Sequence, residues 1–169
     1  NGFYDLTPMK QAENLFGLVK EKQTMLNIAD TQTIKLFLGD EQFSMFSGTV
    51  LNSKLRVDME KGITVREVHW RSPKGKEVQL TITRMTSFYQ LSLFTIQYEV
   101  LPLNFSGEIR FESSHNGNVV NYVDPEDPRM ACEWLRYLRP ISCEIKDGAS
   151  FITSATSRSG LEVCSCVKN

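Results

Sequence analysis

Thr33–Phe46 (TIKLFLGDEQFSMF), Leu55–Phe88 (LRVDMEKGITVREVHWRSPKGKEVQLTITRMTSF) and Leu93–Tyr122 (LFTIQYEVLPLNFSGEIRFESSHNGNVVNY) alternate apolar and polar residues with period two. In a strand, successive side chains point to opposite faces, so this period marks half-buried β-structure. Ile34, Leu36 and Leu38 share a face opposite Lys35, and Gly39-Asp40 supplies a hairpin turn. Leu55, Val57 and Met59 alternate with Lys54, Arg56 and Asp58 and stop at Lys61-Gly62. Ser72-Pro73-Lys74-Gly75 places Ser, Pro and Gly where a type I turn favours them. Val78, Leu80 and Ile82 then oppose Gln79, Thr81 and Thr83, and Phe94, Ile96, Tyr98 and Val100 oppose Thr95, Gln97 and Glu99. Ile109 and Phe111 continue the pattern, and Asn116-Gly117 turns the chain toward a further strand at Val119–Val123. Short strands at regular intervals with Gly or Pro turns predict an all-β fold with few or no helices, an antiparallel β-sandwich.

The flanks are less regular. Thr7-Pro8 followed by Met9, Ala12, Leu15 and Leu18 or Val19 fits a short helix capped by Thr, with Pro in its first position; a docked loop accounts for the same residues. Residues 1–30 are therefore read as an irregular or short helical lead-in. Asp124-Pro125-Glu126-Asp127-Pro128 is too rigid for a central strand, and Met130–Arg139 is open between a helical turn and a strand. Gly148–Ser157 and Leu161–Val167 read as a last hairpin around Ser159-Gly160. No repeat, low-complexity segment or linker divides the chain, so residues 1–169 are expected to form one domain.

A chain of 169 residues is long enough for a buried core, and 41% hydrophobic with 23% charged residues is a globular balance. Nineteen basic against 20 acidic residues leave a net charge of −1. That offers no basic face for nucleic acid and no attraction to an anionic membrane. No apolar run approaches the roughly 20 residues of a membrane-spanning helix. The opening NGFYDLTPMKQ has neither a basic nor an apolar region of a signal peptide, and without an initiator Met an upstream segment is expected to precede it. Cys132, Cys143, Cys164 and Cys166 all lie in the last quarter. Cys164-Ser-Cys166 has the wrong spacing for a zinc knuckle, so reduced thiols in a cytoplasmic protein are favoured over a disulfide and no metal site is expected.

Catalytic groups are sparse. His69 and His115 lie outside any nucleophile motif; His69 reads as a partly buried strand residue and His115 as a solvated one before a turn. Cleavage of a sugar bond needs two carboxyl groups, or one plus an attacking phosphate. The acidic cluster Asp124, Glu126 and Asp127 sits between prolines, where exposed turn chemistry is favoured over a desolvated acid. Asp40, Glu41 and Glu60 read as turn residues by the same logic, and Lys74 and Lys76 as a solvated hairpin tip. Trp70 and Trp134, with Tyr89, Tyr98, Tyr122 and Tyr137, are the rings on which a sugar would stack, but core packing is the simpler role. Asn104-Phe-Ser106 matches a glycosylation sequon that matters only in a secreted eukaryotic protein. No catalytic residue is assigned, and carbohydrate-binding residues are left unknown.

Met25–Gln32, Leu36–Phe46, Val57–Trp70, Ser72–Lys76, Arg84–Phe88, Ile96–Val100, Asn116–Asn121 and Asp127–Arg129 together resemble the N-terminal domain of glycoside hydrolase family 65, the maltose, trehalose and kojibiose phosphorylases and related hydrolases. The resemblance implies part of a large sandwich, a supersandwich, joined to a C-terminal catalytic α/α barrel of the same polypeptide. The family's reaction is phosphorolysis of an α-linked disaccharide with inversion, giving β-glucose 1-phosphate, or hydrolysis in some members. It requires no cofactor, and its general acid and phosphate-binding groups belong to the barrel. The resemblance thus implies a non-catalytic domain that supports the barrel and a homodimer, with disaccharide and inorganic phosphate as ligands of the barrel and the isolated chain inactive. A free-standing carbohydrate-binding or adhesion sandwich is the alternative, and a small hydrolase active by itself lacks a visible catalytic set.

Overall fold

A computed structural model describes residues 3–8, 16–17, 19–122 and 136–169. The strands are β1 (Tyr4–Pro8), β2 (Glu21–Met25), β3 (Ile34–Leu38), β4 (Glu41–Gln42), β5 (Thr49–Asp58) and β6 (Ile63–Arg71). They continue as β7 (Glu77–Thr86), β8 (Phe94–Pro102), β9 (Ile109–Ser113), β10 (Leu138–Lys146), β11 (Ala149–Thr156) and β12 (Glu162–Lys168). No helix occurs among the described residues, and the antiparallel all-β expectation holds. The chain divides into two compact units, residues 34–112 and the remainder.

In the central unit, β5-β6-β7-β8 form a four-stranded meander and β4-β3-β9 a three-stranded sheet. Alternation decides the face. Val68, Trp70, Val78 and Leu80 point to the same side and pack with Leu36 and Leu38 of β3. Phe43, Val100, Phe105 and Ile109 close around them. Trp70 is fully buried, meets Phe43 edge-on at 5.2 Å and donates its Nε1–H to the Ser47 carbonyl at 2.7 Å. The opposite face carries His69, Gln79, Thr81, Glu99 and Lys54, the polar half of the pattern. The predicted turns at Gly39-Asp40, Lys61-Gly62 and Ser72–Gly75 all form; the Gly75 amide donates to the Ser72 carbonyl at 2.9 Å.

In the other unit, β1 and β2 make a two-stranded ribbon and β10-β11-β12 a meander. The last hairpin forms as predicted, whereas the helical start does not. Asp5 and Thr7 are buried at alternate positions of β1, Thr7 faces Lys22 across the ribbon, and its hydroxyl bonds that of Thr24 at 2.6 Å. Cross-strand pairing thus claims Thr7 before it can cap anything, and Pro8 at the end of the ribbon withholds no needed N–H. Residues 9–15 and 18 of the proposed helix lie outside the described residues. Val119–Tyr122 form no strand; Asn116 makes a single bridge with Asp30, and side chains hold the segment instead. Asn121 accepts the Asn27 amide at 2.9 Å and donates to the Met25 carbonyl at 2.8 Å.

Candidate functional site

Three polar groups join residues that the sequence leaves apart. The first lies where β4 meets the β6–β7 hairpin. Glu41 Oε1 accepts the Lys74 amide at 2.8 Å and Oε2 accepts the Ser72 hydroxyl at 3.0 Å. Lys76 Nζ donates to the Leu38 carbonyl at 2.6 Å, stands 3.6 Å from Glu41 Oε2 and lies 5.9 Å from the Phe105 ring centroid. Glu41 is therefore a buried anchor rather than a turn residue, and Lys76 is not a solvated tip. Lys74 does meet solvent and pairs with Asp40, whose carboxyl its hydrogen bond holds below the usual range.

The second is Asp5. Burial alone would raise its pKa, but the backbone amides of Leu6, Ser159 and Arg158 donate to the carboxylate and bring it below the usual value. The last two, at 3.0 and 3.1 Å, tie β1 to the β11–β12 turn. The third is His115, whose Nδ1 lies 2.7 Å from the Ser150 hydroxyl and whose Nε2 lies 2.8 Å from the Ser165 hydroxyl. Ser165 also donates to the Ile152 carbonyl at 3.3 Å, so it accepts Nε2–H while Ser150 donates to Nδ1. Burial lowers the His115 pKa against the opposing pull of the Ser150 backbone and the Asp30 charge. His115 is thus half-buried and bonded on both sides, correcting the expectation of a solvated ring.

None of these arrangements makes a general acid. That role needs a carboxyl held protonated near neutral pH, by burial or a like charge. Asp5, Asp30, Asp40 and Glu77 are all displaced downward, Asp30 chiefly by Thr33 and Glu77 first by Arg71 and then by His69. His69 and Glu77 form a surface pair at 3.1 Å. Trp70 is core, as expected; Trp134, Asp124, Glu126, Asp127 and Cys132 lie outside the described residues. Cys143, Cys164 and Cys166 are exposed free thiols. The Asn104 side chain accepts the Glu77 amide at 2.7 Å and donates to the Gly75 carbonyl at 3.0 Å, clasping the β6–β7 hairpin.

One surface of the central unit does stand open. Beyond Ile82 the core-side face of β5–β8 continues through Leu55, Val57, Phe94 and Ile96, of which Leu55 is 53% and Val57 62% exposed. An apolar strip on the side of a sheet that elsewhere forms the core is built for coverage. Sequence periodicity marked these residues as inward-facing but gave no sign that the second sheet stops short of them.

The chain matches the family model "Glycosyl hydrolase family 65, N-terminal domain" over residues 1–169. It belongs to glycosyl hydrolase family 65. Within the family it is 37% identical over 163 residues to the alpha,alpha-trehalose phosphorylase of Geobacillus stearothermophilus, covering 95% of this chain and 21% of that protein. To the alpha,alpha-trehalose phosphorylase of Thermoanaerobacter brockii it is 35% identical over 170 residues, covering 100% of this chain and 22% of the relative. Its fold is similar to that of a solved structure described as "Putative kojibiose phosphorylase from human microbiome", with a TM-score of 0.76 at 16% identity over 98% of this chain and 20% of the other. The family 65 chain therefore spans about a fifth of the length of the relatives it matches.

Proposed function

We propose that residues 1–169 are one non-catalytic N-terminal domain of an enzyme that phosphorolyses, or hydrolyses, an α-linked glucose disaccharide in the cytoplasm. The observation that carries this reading is the match of the whole chain to a fifth of two trehalose phosphorylases. The downward-shifted carboxyls agree with it, since an inverting phosphorolysis needs one raised acid and, among the described residues, every carboxyl with a displaced pKa is shifted down. The chemistry then resides in a C-terminal barrel that binds disaccharide and inorganic phosphate, and this domain supports that barrel and a homodimer.

The test is to assay the full polypeptide with phosphate on trehalose, kojibiose and maltose, reading β-glucose 1-phosphate. Product from any of the three supports the reading, and deletion of residues 1–169 should then impair folding or dimerisation. A deletion variant with unchanged stability and turnover would sink the supporting role. Activity absent on all three, together with calorimetric binding of a disaccharide by the protein, would instead favour a carbohydrate-binding module.

A further inference from the structure

The open strip on the central sheet contains an arginine with one buried N–H that no acceptor meets. Arg84 of β7 follows Val78, Leu80 and Ile82 at the same parity, so it belongs to the core-side face. It stands opposite Thr64 on β6 and Ile96 on β8, and Arg66 of β6 lies diagonally beside it, opposite Ile82 and Leu55. Arg84 Nε is buried without a hydrogen-bond partner, the only such side-chain atom among the described residues. A guanidinium carries its charge at every ordinary pH, and a buried N–H left unmet is destabilising.

Around the two arginines the strip is apolar apart from Thr64. Leu55, Val57, Phe94 and Ile96 surround them, and every residue of β5 before Asp58 is exposed. Two cations within apolar surface define what fits: an apolar segment carrying an Asp or Glu, its carboxylate placed to take a guanidinium at its Nη groups, since Nε of Arg84 is buried. A second copy of this face would bring arginine against arginine, which disfavours symmetric self-pairing.

We propose that this strip is the docking surface for a segment of the same polypeptide outside residues 1–169, and that an acidic side chain of that segment pairs with Arg84 and Arg66. The occupant is chosen by two facts: the charge on the strip, and relatives of which the matched region is only about a fifth. The inference rests on the reading of this chain as one domain of a longer enzyme.

The experiment uses the full polypeptide with Val57, and separately Leu55, replaced by the photocrosslinking residue p-benzoylphenylalanine. After irradiation and digestion, mass spectrometry should find crosslinks to one peptide of the same polypeptide that lies outside residues 1–169 and contains Asp or Glu. Introducing Arg84→Glu should cut that crosslink at least several-fold, whereas Arg84→Lys should retain most of it. Crosslinks between two copies, crosslinks confined to residues 1–169, a yield indifferent to Arg84→Glu, or no crosslink at all would each overturn the proposal. Phosphorolysis is assayed on the same samples. Activity without the crosslink defeats this inference alone, and the crosslink without activity defeats the enzymatic reading alone.

Discussion

Glu41 and Ser72, 31 residues apart in the chain, are joined by a buried hydrogen bond of 3.0 Å. Ser72 passes the interaction on, because its hydroxyl oxygen also accepts the Lys76 amide at 3.0 Å. Strand β4 and the β6–β7 turn, on different sheets, are thereby held by one carboxylate, which accepts from both Ser72 and Lys74. We expect Glu41→Ala to destabilise the protein by about 2–4 kcal/mol and Ser72→Ala by about 1 kcal/mol, since buried donors lose a charged acceptor. Urea unfolding of both single variants and the double variant should show a coupling of about 0.5–3 kcal/mol. Strict additivity would mean that the two side chains act independently.

Trp70 is the largest fully buried side chain of the central core. Its loss in Trp70→Ala should cost about 3–5 kcal/mol, from lost apolar burial and the cavity left behind. Trp70→Phe should cost less but still leave the Ser47 carbonyl without its donor. Thermal unfolding of the two variants in that order checks the ranking, and a smaller loss for Ala would contradict it.

Gly48 and Gly75 both have left-handed backbone, with φ of 67° and 88°. Their surroundings differ. A Cβ at Gly48 would sit 2.4 Å from the Arg71 carbonyl oxygen and 3.0 Å from the Trp70 ring, whereas one at Gly75 meets nothing within 4 Å. Gly75→Ala should therefore cost about 1 kcal/mol from backbone strain, and Gly48→Ala about 2–4 kcal/mol from strain plus a clash with backbone. Equal midpoints in denaturant would refute the steric argument.

His115 has a folded pKa below its ordinary value of 6.5, so the folded state disfavours the protonated ring. Its contribution to stability is fully present above pH 6.5 and is lost as pH falls from there through the folded pKa. Asp30 is the charged group that tempers this loss. Stability measured at pH 7.5 and pH 5 should fall for the wild-type protein, and the fall should shrink in His115→Gln. An unchanged slope in that variant would place the sensitivity elsewhere.

Asp5 follows the carboxylate rule at lower pH. Its folded pKa lies below the ordinary 3.8, so its stabilisation holds above that value and is lost as pH falls through the folded pKa. Asp5→Asn keeps one acceptor oxygen for two clasping amides, and should destabilise the protein by about 1–2 kcal/mol at pH 7. The penalty should shrink as pH falls below 3.8 and through the folded pKa of Asp5; a penalty constant with pH would mean that its charge contributes nothing.

The period of two in residues 33–111 was enough to place β3, β7 and β8 and to choose the inward-facing members of each. It worked because alternation is a local property: a residue faces the core together with its neighbours two positions away. The same rule applied to β5 and the far end of β8 gave the correct face but not its exposure, since coverage depends on how far a second sheet extends. Thr7-Pro8 misled because cap and strand residues share a composition, and pairing with Lys22 and Thr24 decided between them. Glu41, Lys76 and His115 were undervalued for a related reason, as an isolated polar residue has no period to betray its burial.

By itself the sequence determined that this chain is antiparallel β-structure, where its central turns fall and which family it resembles, because all three follow from local alternation and from residues compared position by position. Only the tertiary structure decided that Glu41 reaches Ser72, that His115 bridges Ser150 and Ser165, and that Arg84 lies on an open apolar strip with its Nε unmatched. The first two depend on segments 31 to 50 residues apart arriving side by side. Hydrogen bonding and burial are set by that arrival, which no local pattern encodes.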